Sequence, residues 1–569
     1  MSEVKETKAQ RVERLKREKN AWEHLDEIRR FAREGHGSIP PEWLTTYFRT
    51  WGIYTQGDGK GVVGGSGGEG RARPFFMVRI RIPNGLLTSH QVRTIADLSS
   101  QFGNGVADIT VRQNVQLHWV RIEDVPELLE RLYAIGLSTT GACGDVPRNI
   151  TGCPLAGVHA HELADVSGLV EELDKELGGN AEFYNLPRKF KISVTACPDW
   201  CSYPEINDIA LVATRRRRPD SSQEEVGFAL RVAGGLSTQP HLAVPLNVFV
   251  RWNQVIPVVR AITEVFRESE VLRHSRDKAR MKYLFLEHGW TAESFLAAVE
   301  ARLGYALDPA EPLEPPAQVH RDHLGVIPQK QDGFFSVGAA VIRGRITPEQ
   351  LTVAADLAER YGDGHVRNTP MQNLLLVNIP EEHVATVTRE LSAAGLPIES
   401  SSFVRGTVAC TGSEFCKLAL TETKSYARWL TEQLEERFPN YQEQLRLHIT
   451  GCPNSCGQHW IADIGIEGKK IKANGKMVDA YYFCIGGSVG QFAAIARPVG
   501  YRCAADEVPE AITRLLDAFH EQRVENEPLQ KFLTRHTTET LRTILAGAPA
   551  AEAERDLATA ATPHSVEDR

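Results

Sequence analysis

Strand-like and helix-like patterns of apolar residues alternate from about residue 75 onward. FFMVRIRIP alternates apolar and polar residues as a strand does, and LTSHQVRTIADLSSQFG carries apolar residues at helical spacing. The strand-like run DITVRQNVQLHWV and the helix-like run DVPELLERLYAIGL come next. The pattern therefore predicts a β-α-β-α unit that leads into CGDVPRNITGCP.

The same order of elements returns about 260 residues later. It runs through FFSVGAAVIRGRI, TPEQLTVAADLAERYG, HVRNTPMQNLLLVNI and EEHVATVTRELSAAGL, and it ends at VACTGSEFC. RQNVQLHWV resembles PMQNLLLVN, and RKFKISVTACPDWCSYPEINDIAL resembles RLHITGCPNSCGQHWIADIGI. The pattern predicts an internally duplicated α+β protein with mixed α/β elements. We expect its two halves to pack about a pseudo-twofold axis, with a ligand in the crevice between them.

The segments outside the repeat are polar or rich in glycine and proline. Residues 1–35 predict a solvated helix. Gly65, Gly67 and Gly70 match G-x-G-x-x-G, but no strand precedes them and no helix follows, so a flexible loop is favoured over a dinucleotide site. DPAEPLEPPAQ is a proline-rich connector between the halves, and the chain ends in a helical segment and an Ala/Glu-rich tail predicted to be disordered.

Composition and charge narrow the class of protein. The 569 residues, 42% of them hydrophobic and 24% charged, suit a soluble globular protein of several domains. A net charge of -8 argues against a nucleic-acid partner. No apolar run approaches the ~20 residues that span a bilayer, and the charged N-terminus lacks the apolar stretch of a secretory signal. We therefore expect a cytoplasmic protein with no membrane partner.

Four cysteines near the C-terminal end form the strongest chemical motif. Cys410 and Cys416 stand in ACTGSEFCKLAL, and Cys452 and Cys456 stand in ITGCPNSCGQHW. Thiolates in such loops suit an iron–sulfur cluster or zinc, but the C-x5-C spacing is unlike the C-x2-4-C knuckles of structural zinc sites. A disulfide would need an oxidising compartment. Four unrelated buried thiols are the remaining alternative, and the paired spacing argues against them.

The first half has cysteines of its own. Cys197 and Cys201 form a C-x3-C pair, and Cys143 and Cys153 form a C-x9-C pair upstream. We interpret them as a decayed copy of the cluster loops, with a second cluster as the alternative. Four irons per chain beyond any haem iron would support one cluster, and eight would contradict it.

Basic residues of the first half lie among apolar neighbours in strand-like segments. They are Arg79, Arg81, Arg112, Arg148, Arg188, Lys189 and Lys191. Residues i and i+2 of a strand point to the same side, so Lys189 and Lys191 are expected to project together, as are Arg79 and Arg81. A solvated strand face is the simpler interpretation, but a buried cluster of like charges requires an anion.

These motifs resemble the sirohaem-dependent assimilatory sulfite and nitrite reductases. ACTGSEFC followed by GCPNSCG, with LPRKFK upstream, carries the resemblance, which extends over roughly residues 45–520. It implies a three-domain, pseudo-twofold architecture with ferredoxin-like half-domains. It also implies a [4Fe-4S] cluster on Cys410, Cys416, Cys452 and Cys456, with Cys456 shared with the sirohaem iron.

The resemblance also implies roles for the basic residues. Sirohaem carries many carboxylates, and its binding residues would be Arg112, Gln113, Gln116, His118 and Arg188. Catalytic roles, binding a small oxyanion and supplying protons, would fall to Arg79, Arg148, Lys189 and Lys191. The reaction would be the six-electron reduction of sulfite to sulfide, or of nitrite to ammonia. The Lys-x-Lys pair is more typical of the sulfite enzymes, so sulfite is favoured.

One candidate cross-link and the expected partners complete the prediction. Tyr54 in WGIYTQ and Cys143 in GACGDVPR match positions that form a Tyr–Cys thioether in some members, whereas the family pattern offers no role for Cys197 and Cys201. The electron donor would be ferredoxin, or else a flavoprotein reductase using NADPH, and the protein is expected to be a monomer. Arg215 to Arg218 are a candidate docking patch for acidic ferredoxin, with a solvated turn as the alternative.

The predicted domains follow from the repeat and the resemblance. They are an N-terminal helical arm and Gly-rich loop (1–74), a first ferredoxin-like half-domain (75–145), a first sirohaem- and substrate-binding domain ending in the linker (146–330), a second half-domain (331–402), a [4Fe-4S]- and sirohaem-binding domain (403–505), and a C-terminal helix and tail (506–569). A haem-free iron–sulfur sensor or scaffold is the non-enzymatic alternative, and a structural zinc protein is a weaker one.

Overall fold

The structure is a computed structural model, and it describes residues 6–59, 71–217, 223–317, 322–473 and 475–547. Gly65, Gly67, Gly70, Arg218 and the predicted tail from residue 548 lie outside the described residues. No helix in the described ranges is both long enough and apolar enough to cross a membrane.

The described residues contain both helices and strands. The helices are α1 Lys8–Glu18, α2 Leu25–Glu34, α3 Phe48–Thr50, α4 Ser89–Phe102, α5 Val125–Ala134, α6 Ser167–Leu177, α7 Val255–Arg267, α8 Lys282–Glu287, α9 Ala292–Leu303, α10 Pro348–Tyr361, α11 Glu381–Ala393, α12 Ser402–Gly406, α13 Lys424–Arg437, α14 Val508–Gln522, α15 Leu529–Arg535 and α16 Thr538–Ala546. The strands are β1 Ile53–Gly57, β2 Ala72–Ile80, β3 Leu86–Thr88, β4 Ala107–Ile109, β5 Val115–Val120, β6 Thr151–Gly152, β7 Ile192–Thr195, β8 Ile209–Arg217, β9 Glu224–Val232, β10 Val244–Arg251, β11 Asp308–Pro309, β12 Gly325–Pro328, β13 Phe334–Ala339, β14 Arg345–Ile346, β15 His365–Asn368, β16 Leu374–Pro380, β17 Thr407–Ala409, β18 Leu447–Thr450, β19 Ile464–Ala473, β20 Lys476–Ile485 and β21 Arg497–Ala504.

The chain divides into two compact units. The first contains the residues up to Asp58, Arg71–Ser400 and Val489–Phe492. The second contains Ser401–Ser488 and the chain from Ala493 onward.

The first unit contains two five-stranded sheets of the same design. Their strand orders are β1-β2-β5-β4-β14 and β12-β13-β16-β15-β3. Each sheet takes an edge strand from the other half of the duplication, because β14 pairs with β4 and β3 pairs with β15. Helices α4 and α10 pack against each other and begin with matching capping boxes, each of which satisfies two backbone donors at the start of the helix. The exchange of strands makes the two repeats one folding unit.

One expectation about these repeats is wrong. DITVRQNVQLHWV is not one strand but the hairpin β4–β5, with Arg112 and Gln113 in its turn. The Thr110 hydroxyl accepts the N–H of Arg112 at 3.3 Å and that of Asn114 at 3.1 Å, and Gln113 adopts a left-handed φ of 61°. HVRNTPMQNLLLVNI forms the equivalent hairpin β15–β16. Polar turn residues continue the alternation of the flanking strands, so the sequence pattern conceals the turn.

A third sheet of the first unit is flanked by basic residues that are predicted to bind the substrate. Its order is β11-β10-β9-β8-β7-β6, with β6, β7 and β8 parallel and the remaining pairs antiparallel. Val194, Leu211 and Phe228 pack with Val258 and Ile262 of α7 in its core. The parallel strands bring the loops that follow β6 and β7 to one edge of the sheet.

The second unit repeats this sheet. Its order is β17-β18-β19-β20-β21, with β17, β18 and β19 parallel and the next two pairs antiparallel. Its core includes Leu430 of α13, Ile449, Phe483 and Leu515 of α14. The duplication read from the sequence is therefore visible in the strand directions of both sheets.

The N-terminal region differs from the single solvated helix expected over 1–35. Its described part contains α1 and α2, and two charged residues of α1 are buried. Lys16 Nζ donates to the carbonyl of Leu186 at 2.8 Å and lies 3.5 Å from Asp145 Oδ2. Glu13 pairs with Arg273 at 2.6 Å. A charge-rich helix resembles a solvated one in sequence, but here the charges are buried and paired.

Arg215, Arg216 and Arg217 of the candidate docking patch continue strand β8, so the alternative of a solvated turn does not hold for these three residues. Arg216 lies between Glu225 and Asp308, and its guanidinium lies 3.9 Å from the centre of the Phe249 ring. Arg215 and Arg217 are exposed on the other side of the strand. The period of two therefore separates one structural arginine from two that face water.

Candidate active site

Basic residues of several segments converge in the first unit. The charges of Arg148, Arg280 and Arg79 act on Arg112, and those of Arg112, Lys189 and Arg280 act on Lys191. The structure thus brings together the four predicted oxyanion-binding residues and Arg112, and it adds Arg280. Like charges this close repel one another unless an anion lies among them.

Arg79 is held rigidly on β2. It lies opposite Gln116 of β5, and its Nε and Nη2 donate to Gln116 Oε1 at 3.0 and 2.5 Å. Its Nη1 lies 2.9 Å from Cys143 Sγ. Arg81, expected on the same side of the strand, lies beyond the end of β2 and pairs with Asp174 at 3.3 Å. The two arginines therefore have different partners.

Arg112 reaches from the β4–β5 turn into the third sheet. Its guanidinium donates to Asn207 Oδ1 at 2.7 Å, to the Asn149 carbonyl at 2.6 Å and to the Ile192 carbonyl at 3.1 Å. Its buried Nε has no hydrogen-bond partner among the described residues. Burial and the charge of Arg148 lower the pKa of Arg112 to about 9. A guanidinium remains charged at neutral pH, so the cations at this site outnumber Asp208, the carboxylate that acts on Arg112.

Lys191 immediately precedes β7. Its backbone N–H donates to Asp208 Oδ2 at 2.8 Å, and Arg280 Nη2 donates to the same carboxylate oxygen at 2.8 Å. Burial, followed by the charges of Arg112 and Lys189, holds the pKa of the Lys191 ammonium well below its ordinary value. A lysine in this state can release a proton and regain it when an anion binds nearby.

Arg148 and Arg188 are oriented by the loop that carries Cys143. Arg148 Nε and Nη2 donate to the Gly144 carbonyl at 2.9 and 2.7 Å. Gly144 has a φ of +88°, and a Cβ there would lie 3.0 Å from Thr50 Cγ2, so glycine is required. Arg188 Nη1 lies 3.4 Å from Asp145 Oδ1. Burial alone would raise the pKa of Asp145, but Arg276, Lys16 and Arg188 hold it below its ordinary value.

Gln113 and His118 are engaged within the fold. Gln113 Nε2 donates to the carbonyls of Asn84 and Asn368 at 3.1 and 3.0 Å. His118 is fully buried, with Nδ1 2.9 Å from Gln56 Nε2 and Nε2 3.0 Å from Asp108 Oδ2. Direct contact of these two side chains with sirohaem stays a prediction, and their observed contacts position β5 and its turn.

Tyr54 and Cys143 are neighbours, as a thioether would require. Burial, and next the Cys143 thiol, raise the pKa of the Tyr54 hydroxyl. The Arg49 guanidinium lies 5.6 Å from the centre of the Tyr54 ring. The cross-link itself stays a prediction, to be checked by intact mass for the loss of two hydrogens.

Sequence reasoning missed Arg49, Arg280 and Asp208. A signal for Asp208 is present in the sequence, because NDIAL and ADIGI carry an aspartate at the same place in both repeats. Arg49 and Arg280 have no local signal, since only the tertiary structure brings them to the other cations.

The four cysteines of the second unit lie in loops at one edge of its sheet. Cys410 follows β17 and Cys452 follows β18, and these strands are parallel neighbours. The Gly451 N–H donates to Cys410 Sγ at 3.2 Å, and Asn454 Nδ2 lies 3.5 Å from Cys452 Sγ. Cys416 is positioned by its N–H, which donates to the Gly412 carbonyl at 2.9 Å, and Cys456 is exposed. Such N–H donors stabilise cluster thiolates.

Burial makes the thiols of Cys410, Cys416 and Cys452 difficult to ionise without a metal. It raises the pKa of Cys410, it raises that of Cys416 to about 12, and it raises that of Cys452, with Cys456 adding to each. A metal centre supplies the positive charge that thiolates in such a place need. The donor set therefore fits an iron–sulfur cluster.

The first-half cysteines do not pair as the spacing suggested. Cys143 lies beside Arg79, whereas Cys153 lies with Cys197 and Cys201. The C-x9-C interpretation is wrong, because parallel pairing of β6 and β7 places Cys153 next to the C-x3-C loop.

Comparisons with known proteins identify the class. The family model described as the nitrite and sulphite reductase 4Fe-4S domain matches residues 143–307 and 400–550, and the model of the nitrite/sulfite reductase ferredoxin-like half domain matches 69–135 and 327–394. The chain is 38% identical over 523 residues to the ferredoxin–nitrite reductase of Synechococcus elongatus, covering 90% of this chain and 96% of that protein. It is 35% identical over 543 residues to the sulfite reductase [ferredoxin] of Mycobacterium tuberculosis, covering 93% and 95%.

A solved structure agrees. The Mycobacterium tuberculosis NirA protein matches with a TM-score of 0.88 and 34% identity, covering 95% of this chain and 98% of that one. The chain belongs to the nitrite and sulfite reductase family. It is an oxidoreductase with duplicated ferredoxin-like half-domains, and the cofactors of its family are sirohaem and a [4Fe-4S] cluster. The family, the fold class and the cofactors predicted from the sequence are confirmed, and the predicted domain boundaries stay predictions.

Proposed function

We propose that the protein reduces sulfite to sulfide with electrons from ferredoxin. The observation that carries the proposal is the group of cations that surrounds Lys191 and includes Arg79, Arg112 and Arg148. Asp208 is the carboxylate in this group that acts on Lys191. Sulfite brings more negative charge than nitrite, so an excess of positive charge favours it. The names of several relatives as sulfite reductases and ferredoxin-dependent enzymes support the same proposal.

The cofactor residues are proposed from the donor sets described above. Cys410, Cys416, Cys452 and Cys456 would hold the cluster, with Cys456 shared with sirohaem, and Arg112, Gln116 and Arg188 would neutralise sirohaem carboxylates. The orphaned Nε of Arg112 is one donor such a carboxylate would satisfy. When bound, these groups supply the redox chemistry, transferring electrons singly to the substrate.

The protein's own residues would bind the anion and provide protons. Arg79 and Arg148 are preorganised by Gln116 and by the Gly144 carbonyl, so their charge acts on the anion without reorganisation. Each oxygen that leaves the substrate as water takes up protons, which Lys189 and Lys191 would supply. The depressed pKa of Lys191 makes it a ready proton donor once the anion restores its charge.

Reduction of nitrite to ammonia is the second candidate, because similar relatives bear that name. The test compares kcat/KM for both anions, with reduced ferredoxin, in the wild type and in Lys191→Asn. We expect the wild type to prefer sulfite and the variant to shift toward nitrite, since one positive charge is lost. A clear wild-type preference for nitrite would overturn the proposal.

The haem-free alternative is tested separately. A visible spectrum with Soret and red bands indicates sirohaem, and a broad shoulder alone indicates an iron–sulfur protein without haem.

A further inference from the structure

Three cysteines of the first half converge at a place that the proposed reaction does not use. The Sγ atoms of Cys153, Cys197 and Cys201 all lie within 4.8 Å of one another, and those of Cys197 and Cys201 are 3.6 Å apart. None of the three side chains is more than 4% exposed. A search of the described residues for three or more cysteine, histidine or acidic side chains with ligand atoms this close together finds these three cysteines.

The fold places these cysteines where the other repeat holds its cluster ligands. Cys153 follows β6 as Cys410 follows β17, and Cys197 follows β7 as Cys452 follows β18. In both repeats the two strands are parallel neighbours.

The C-x3-C turns are also alike in backbone geometry. Trp200 and Tyr203 have φ values of 48° and 52°, and Ser455 and Gln458, at the matching places, have 56° and 61°. Cys201 therefore corresponds to Cys456. The first half retains three of the four ligand positions and lacks a counterpart of Cys416.

The spacing of the sulfurs favours one ion over a cluster. With metal–sulfur bonds of about 2.3 Å, three thiolates around one ion lie about 4 Å apart. The observed spacing is of this size. A [4Fe-4S] cube binds each cysteine through a different iron, so its ligands must stand further apart and normally number four.

The surroundings suit a buried thiolate site. Leu155, Val158, Leu375 and Val377 enclose the three cysteines. The guanidinium of Arg367 donates to the carbonyls of Pro154 and Ala156 at 2.9 and 2.7 Å, directly after Cys153 in the chain. Its positive charge offsets the net negative charge of three thiolates around one ion.

His159 is the nearby histidine to be considered as a fourth ligand. Its Nε2 lies 3.3 Å from Asp199 Oδ2, and its Nδ1 accepts the N–H of His161 at 3.0 Å. Both ring nitrogens are engaged, so the site is a three-thiolate site.

We propose that Cys153, Cys197 and Cys201 bind a single thiophilic metal ion, Zn²⁺ or Cu⁺. Soft thiolates select these ions over harder ones. Each thiol loses its proton as the ion binds, so uptake releases protons to solvent. Because the site is buried, its role is structural: it ties together the loops that follow β6 and β7, at the end of β7 away from Lys191.

The first test is metal analysis of the holoenzyme by mass spectrometry. We expect one Zn or Cu per chain in the wild type and its loss in Cys197→Ser, with the iron content unchanged. Cys484→Ser, which removes a buried thiol of β20, is the matched control and should keep the ion. Which metal is found distinguishes Zn²⁺ from Cu⁺.

The second test uses only the wild-type protein, so it remains valid even if the Cys197→Ser variant fails to fold. X-ray absorption at the Zn or Cu edge of the wild type is not obscured by iron, and we expect a first shell of sulfur alone. Four results would overturn the proposal. Two concern the metal content: no Zn or Cu in the wild type even after incubation with either ion and a competing chelator, or equal metal in Cys197→Ser. The others are nitrogen or oxygen in the first shell, and a loss of about four irons in the variant, which would indicate a second cluster. None of these readouts depends on which anion the enzyme reduces.

Discussion

The β6–β11 sheet of the first unit and the β17–β21 sheet of the second share a backbone but differ in chemistry. In both sheets the residue before the second parallel strand donates its N–H to a buried aspartate, Lys191 to Asp208 at 2.8 Å and Arg446 to Asp463 at 2.7 Å. Duplication thus preserved the hydrogen bonds that hold the strands in register and left the side chains free to diverge.

The aspartates show how far the two repeats have diverged. Asp208 also binds the buried Arg280, whereas Asp463 has no ion pair of this kind among the described residues, and burial raises its pKa. The cations around Lys191 belong to the first repeat, and the four cysteines predicted to hold the [4Fe-4S] cluster belong to the second. Lys191 and Asp208 precede their parallel strands, whereas Cys410 and Cys452 follow theirs, so the two repeats use opposite ends of the same strand arrangement.

The largest expected effect is on the thiol side of this comparison. Cys456→Ser should abolish activity and uncouple the cofactors, because it removes the thiolate proposed to be shared. The loss should exceed the roughly 10–100-fold that loss of an outer partner costs a metal site. Turnover, iron content and the visible spectrum measure it, with Cys503→Ser as the buried-thiol control. A fully active Cys456→Ser protein would contradict the assignment.

Next comes the cationic side. Lys191→Met should lower kcat/KM by about 10²–10⁴-fold, the usual contribution of a positioned proton donor. Steady-state assays check this, and Lys472→Met, at an exposed position of β19, is the control. If both variants retained wild-type rates, Lys191 would be only a structural lysine.

The equivalent aspartates of the two repeats, Asp208 and Asp463, allow a stability test of the difference between the repeats. Asp208→Asn leaves Arg280 buried without its anion, which should cost about 3–5 kcal/mol in the free energy of unfolding. Asp463→Asn replaces one hydrogen-bond acceptor by another and should cost about 1 kcal/mol or less. Urea unfolding followed by circular dichroism compares them, and equal costs would remove the distinction between the two repeats.

The pH dependence of kcat/KM should also reflect the cations of the first repeat, and Lys191 in particular. Because burial and neighbouring cations lower the pKa of Lys191, its charge is lost as pH rises through that lowered value, at a pH below that of an ordinary lysine. Substrate affinity should therefore fall as pH rises, and the effect should vanish in Lys191→Arg, which stays charged. Profiles of kcat/KM against pH measure this, and an unchanged profile in Lys191→Arg would exclude Lys191 as the titrating group.

The smallest effect is expected on the exposed arginines of β8. Changing Arg215 and Arg217 to Ser should raise KM for ferredoxin a few-fold and weaken its salt dependence, since an exposed pair contributes about 0.2–1 kcal/mol. Arg216→Ser should instead reduce stability, because Arg216 pairs with Glu225. Ferredoxin-linked turnover that ignores both salt and the Arg215/Arg217 change would exclude the docking patch.

The duplication, the resemblance to the family and the cysteine motif could all be recognised in the sequence alone. These are local patterns: apolar periodicity, the C-x5-C and C-x3-C spacings, and short motifs that recur in each half. The individual cations were also identifiable as candidates, because several of them stand among apolar neighbours in strand-like segments.

Only the tertiary structure decided how these parts combine. The exchange of β3 and β14, the pairing of Asp208 with Arg280 and the buried charges of α1 are contacts between residues far apart in the chain. The meeting of Cys153 with Cys197 depends on β6 and β7 lying side by side, which no spacing rule could foresee. Local patterns report the preference of a segment, whereas the partner of a buried charge or thiol is set by packing across the whole unit.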